Sequence, residues 1–186
     1  MKISKGNSKL GAIPNISLTP IKSCANCSSC RKDCYALKAY RQYPATRKAW
    51  DHNLAQARRD PDQYFHGVYQ YIRGKSPAFF RWHVSGDILS QGYLASMSAI
   101  ADSCPGTTFL CFTKRHDLDY SRVPDNLVMR FSIWPGMALP KQAFPFAWLQ
   151  DGTETRIPKT AIKCPGSCEN CKACFTSTKD VYFNKH

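Results

Sequence analysis

The chain has no run of 18 apolar residues, so it is not expected to carry a membrane-spanning helix. Its first stretch, MKISKGNSKLGAIPN, is basic but lacks the apolar core of a secretory signal, so no export is expected. Acidic residues are scarce, at 13 Asp and Glu against 26 Lys and Arg, and the formal net charge is +13. That balance speaks against an acidic surface and for a polyanionic partner, DNA or RNA. No low-complexity segment and no repeat of solenoid length occurs. The expected setting is therefore the cytoplasm, where thiols stay reduced and ten cysteines read as metal ligands rather than disulfides.

Hydrophobic residues make up 43% of 186, enough for one domain with a real core. That domain, residues 1–186, divides into an N-terminal loop with cysteines (1–35), a helical and α/β body (36–150) and a C-terminal cysteine-rich lobe (151–186). The positive charge is uneven. Residues 1–59 hold twelve Lys and Arg against only Asp33 and Asp51, and this basic third is the expected nucleic-acid contact.

Eight cysteines fall into two groups. Cys24, Cys27, Cys30 and Cys34 are spaced C-x2-C-x2-C-x3-C, and Cys164, Cys168, Cys171 and Cys174 repeat those intervals in reverse. Structural zinc usually takes two close pairs separated by a longer finger, because a tetrahedral ion needs a chain reversal between them. Uninterrupted runs of four suit a cuboidal cluster whose iron corners lie several ångströms apart, so iron–sulfur is favoured, with zinc as the alternative metal. One or two Fe4S4 clusters are expected, and three divisions of the ligands stay open. Each group can hold one cluster, the runs can exchange a fourth ligand, or a single cluster can draw on both ends. Two clusters with four thiolates each would leave a net charge of about +9, still basic. Cys111 is expected as a small buried hydrophobe, and Cys104 as a helix-end residue.

The body alternates strand and helix patterns. Strands are expected at Asn15–Pro20, Ala78–Ser85, Thr107–Thr113, Asn126–Ile133 and, demoted by Pro145, Phe144–Leu149. Helices are expected over YALKAYRQY, after Pro44, from Asp60 and Pro61 to Gly74, and over SQGYLASMSAIADSC. Strand–helix–strand order implies right-handed crossovers and a parallel sheet. Chemistry on such sheets gathers beyond the carboxyl ends of the strands. There stand His83, Ser85 and Asp87, then Thr113 and Lys114. His83, Asp87 and Lys114 are the candidate catalytic residues, and Ser85 and Thr113 the candidate cofactor-binding ones. Each has a plainer alternative: a structural His83, an Asp87 that caps the next helix, a solvated Lys114.

NSKLG, CRKDCYALKAY, RWHVSGDILSQGYL, FTKR and CPGSCENCKACF with VYFNKH resemble the phage and prophage family called gene product 88, from Asn7 to His186. The resemblance implies a phage-encoded protein acting in a bacterial cytoplasm. More distantly, the cysteines before CYA, a strand ending in Asp and a strand ending TKR are similar to phage proteins related to radical-SAM barrels. That similarity implies an incomplete (βα) barrel-like sheet with the cluster at its mouth. The C-x3-C-x2-C triplet stands at the far end of this chain, and no Gly-Gly-Glu-like segment is present, which leaves S-adenosylmethionine in doubt as a cofactor.

The expected fold is thus α/β, an incomplete barrel-like parallel sheet with helices and two cysteine-rich metal-binding loops. The first functional expectation is an iron–sulfur redox or radical enzyme acting on a nucleic-acid component. The alternative is a metal-stabilised nucleic-acid-binding module without catalysis. A ferredoxin-like carrier ranks below both, because a basic body and a polar strand-end cleft exceed what carrying electrons needs.

Overall fold

The computed structural model describes residues 1–25, 30–141 and 144–185. Cys27 and His186 lie outside the described residues. Seven strands form one sheet: β1 (Asn15–Ile16), β2 (Phe79–Trp82), β3 (Thr108–Thr113), β4 (Leu127–Ile133), β5 (Phe146–Gln150), β6 (Ile162–Lys163) and β7 (Val181–Asn184). Their order is β1-β2-β3-β4-β5-β7-β6, and every pairing between them is parallel. The chain is α/β, as its strand–helix alternation implies. Neighbouring strands follow one another in sequence from β1 to β5; among the seven strands β1 pairs only with β2 and β6 only with β7, and Ser4 bridges Asn15 antiparallel on the outer side of β1.

The helices are α1 (Tyr35–Gln42), α2 (Pro44–Arg59), α3 (Pro61–Lys75), α4 (Gln91–Asp102), and two single turns, α5 (Cys168–Cys171) and α6 (Ala173–Thr176). Prolines open α2 and α3, where a missing N–H costs nothing. Asp60 caps α3 through the Gln63 amide, and Ser90 caps α4 through the Tyr93 amide. The helix expected to stop at Gly74 runs to Lys75 and ends on Ser76, which takes the left-handed conformation at φ +42°.

Alternation along the strands sorts the core into two faces. Phe80, Trp82, Phe109, Cys111, Met129 and Phe131 meet the helical layer through Leu54, Phe65, Val68 and Leu94. Burying each such large side chain is worth about 1.5–3 kcal/mol. The other face carries Phe79, Leu110, Phe112 and Val128, and is covered by Leu10 and Ile13 and by Phe175 of α6. The second cysteine group thus packs on the face opposite the helices.

Three expected elements change. The first strand shortens to Asn15–Ile16, because the Leu18 amide donates instead to the Ser85 carbonyl and Pro20 has no amide to give. The second stops at Trp82, because His83 turns to φ +55°. The C-terminal lobe is more than a loop: it supplies β6 and β7. Strand β5 begins just after Pro145, whose carbonyl still accepts from the Phe131 amide at 3.1 Å.

Candidate metal and strand-end site

Because all strands run the same way, one edge of the sheet collects every carboxyl end. The first cysteine group follows β1, and Cys164 follows β6 directly. The nine described cysteines are all free thiols.

The turn after β2, His83–Asp87, is locked under the start of the first cysteine loop. Ser85 Oγ donates to the Leu18 carbonyl at 2.9 Å, and the Ser85 amide donates to Ser17 Oγ at 3.3 Å. Gly86 sits at φ +87°, and a Cβ there would stand 2.5 Å from Ser23 Oγ and 2.8 Å from Leu18 Cβ. Only glycine fits that wedge. Further on, Arg58 donates to the Lys22 carbonyl at 2.7 Å, and Thr19 Oγ1 and Tyr40 OH both donate to Asp51. Tyr35 Oη donates to the Val84 carbonyl, although 57% of the residue is exposed. The phenol stays protonated, because enclosure of its hydroxyl end pushes its pKa up. That hydroxyl lies within Coulombic reach of Arg81, Lys114, Cys34 and Cys24.

Asp87 is buried and does not cap α4. Its Oδ1 accepts from Thr113 Oγ1 at 2.6 Å and the Ile88 amide at 2.8 Å, and its Oδ2 accepts from the Lys114 amide at 2.9 Å. Burial pushes its pKa up, and these hydrogen bonds oppose that shift. Arg115 closes the arrangement by donating to the Ile88 and Leu89 carbonyls and to Asp117. Asp87 and Thr113 thus hold the turn that presents Lys114, whose ammonium stands 5.4 Å from the Trp134 ring centre. Ser85 is spent on the β1 end.

His83 is placed otherwise. It is 3% exposed in the helix-facing core, with Nε2 3.1 Å from Tyr93 Oη and Nδ1 3.8 Å from Cys111 Sγ. Its nitrogens meet those groups rather than Asp87 or Lys114. Burial lowers its pKa to about 3, with Arg81 adding to the shift, so the ring is neutral at pH 7. Cys111 is wholly buried, as expected.

The four cysteines of the second group line one pocket, with Ile162, Pro165 and Phe175 among its walls. Its empty volume, counting the open mouth, is about 340 Å³. Arg130 seats this lobe. Wholly buried in β4, it donates to the carbonyls of Cys174 at 2.9 Å, Lys179 at 2.8 Å, Ala173 at 3.3 Å and Ser177 at 2.5 Å. Asp180 in turn accepts from the Phe146 amide and Trp148 Nε1, both at 2.8 Å. Burial pushes the Cys174 thiol up to about 11, with Arg130 and Arg81 pulling it down. Cys168 is raised likewise by burial and opposed by Arg81 and Lys9. Beyond the end of β7, Lys185 pairs with Asp33 of the first cysteine loop at 3.0 Å. Among the described residues, no three His, Cys, Asp or Glu side chains converge closely enough to hold a single metal ion.

Sequence reasoning missed Arg81, Arg130 and Tyr35. The first two were visible as cations inside apolar strands, FFRWH and VMRFS, where a solvated charge has no place.

Residues 1–134 match the family described as Gene product 88. The chain belongs to that family. The part of this family member that matches carries the first cysteine group, the HVSGD turn and the FTKR turn; the second cysteine group lies beyond it. No curated protein and no solved structure matches the chain.

Proposed function

We propose that this Gene product 88 protein is an iron–sulfur protein whose clusters serve a redox or radical reaction at the carboxyl edge of the sheet. The observation that carries the reading is the single pocket lined by Cys164, Cys168, Cys171 and Cys174. Four thiols lining one pocket supply the number of ligands that an Fe4S4 cluster takes, and equally the number that tetrahedral zinc takes. The run spacing favours the cluster. Cys24, Cys30 and Cys34, with Cys27, would hold a second centre at the end of β1. Bound there, a cluster supplies one-electron chemistry. The chain's own residues do the rest. Asp87 and Thr113 fix the turn, Lys114 offers a cation to an anionic substrate group, and Arg130 holds the second lobe on the sheet. His83, neutral and enclosed, supports the core. The incomplete-barrel reading agrees with the run of strands from β1 to β5.

Protein purified without oxygen should be brown and should hold iron and acid-labile sulfide in equal amounts, about four of each per occupied group. Colourless protein with zinc alone would reject the reading.

A second reading, nucleic-acid binding, draws support from α1 and α2. Lys38, Arg41, Arg47, Lys48, Arg58 and Arg59 are exposed there beside Tyr43, itself 52% exposed. Asp51, the one acid in these two helices, is turned inward to Thr19 and Tyr40. The face is therefore uniformly cationic, with an aromatic ring on which a base can stack. Its binding to DNA or RNA is tested by a salt series.

A further inference from the structure

We infer that Arg81 is the internal counter-ion of the metal–thiolate centre formed by the second cysteine group. The inference rests on the metal-binding reading above and adds a residue that holds no ligand position.

Arg81 lies in the middle of β2, in register with Leu110 of β3. Its neighbours Phe80 and Trp82 face the helices, so Arg81 points to the opposite face, where Leu110, Phe112, Phe175, Cys168 and Cys174 cluster. The residue is 8% exposed. Its guanidinium carbon lies 4.2 Å from the Phe112 ring centre, so an aromatic ring covers one side of it. Its Nε is buried with no hydrogen-bond partner. Among the described residues, no carboxylate forms an ion pair with it. Arg130, on the same face two strands away, makes the contrast, because four carbonyls satisfy it.

A buried cation that no carboxylate pairs is costly to keep, and an anion nearby offsets that cost. The Phe112 ring that covers its guanidinium belongs to the same packed cluster as Cys168 and Cys174. As free thiols they are neutral. As ligands they belong to a centre of net charge −2, whether the four thiolates surround Zn²⁺ or an Fe4S4 core in its 2+ state. The charge match is therefore the same for either metal. Arg81 is a positioning residue. It favours the loaded, anionic state of the lobe over the empty one, and in a cluster it favours the reduced state, which carries one more negative charge.

The test compares full-length wild type with Arg81→Met and Arg81→Lys, all purified without oxygen and checked for folding by circular dichroism. Each is exposed to excess EDTA, and the loss of protection of Cys164, Cys168, Cys171 and Cys174 against alkylation is timed by mass spectrometry. The expected result is loss at least tenfold faster in Arg81→Met, with Arg81→Lys near wild type. In cluster-loaded protein, the midpoint potential of Arg81→Met should also move to more negative values. Should Arg81→Met fail to fold, Arg81→Gln takes its place. Equal rates in all variants would overturn the inference, as would equal acceleration in Arg81→Met and Arg81→Lys, which would point to packing rather than charge. If the wild-type second group carries no metal, the parent reading fails. If it carries metal and Arg81→Met behaves like wild type, only the role of Arg81 fails.

Discussion

His83 is a titratable residue whose surroundings choose its role. Tyr93 and Cys111 enclose it, and the unfolded chain would expose it to water. Its folded pKa of about 3 lies below the ordinary value of 6.5. Between those two values the unfolded chain binds a proton that the folded one refuses. The stabilising contribution is therefore complete above pH 6.5 and drains away as pH falls toward 3, by up to about 1.4 kcal/mol per pH unit. His83→Asn keeps a residue that tolerates positive φ and cannot titrate. Urea unfolding midpoints at pH 7, 6 and 5 should fall more steeply in wild type than in His83→Asn. Parallel slopes would refute a buried, neutral His83. In the sequence, His83 could be placed beside the strand end but not aimed. The period-2 pattern that puts Trp82 on the helical side breaks where the backbone enters the left-handed region, and no residue type announces that step.

At the scale of elements, the HVSGD turn is the joint between sheet and cysteine loop. The strands around it were readable, because Phe109–Phe112 and Leu127–Ile133 are apolar enough to be buried on both faces. The prolines at 44 and 61 marked the helix starts, and Asp60 its cap. What was not readable is that the apolar stretch 146–150 recruits β7 rather than β6, since pairing partners distant in sequence leave no local pattern. Gly86→Ala tests the joint. Left-handed strain and the clash with Leu18 and Ser23 should cost about 2–3 kcal/mol. A thermal melt should show this, and if the proposed first centre forms, its iron content should fall with it, since Leu18–Ser23 leads straight into Cys24. A melting temperature equal to wild type would mean that the wedge is slack.

On the scale of the whole molecule, the cationic helices and the second cysteine group lie on different faces of one sheet. Composition revealed the excess of cations but not where they lie. The structure exposes all six Lys and Arg of α1 and α2 and puts two others, Arg81 and Arg130, inside, on the sheet face away from those helices. Only the outer set can release counterions from a polyanion. Affinity for single-stranded DNA or RNA should drop by decades between about 50 and 200 mM salt, and the slope should shrink in Arg41→Ala/Arg47→Ala/Lys48→Ala. Binding that ignores salt, or a triple variant with an unchanged slope, would reject that surface. The order β5-β7-β6 has a consequence in time. A nascent polypeptide can zip β1 to β5 together as they emerge, and with them the seat of the first cysteine group. Strand β6 must wait for β7, so the strand that leads into Cys164 stays unpaired until translation has passed Asn184. The seat of the first cysteine group is thereby built before the strand that leads into Cys164 is paired.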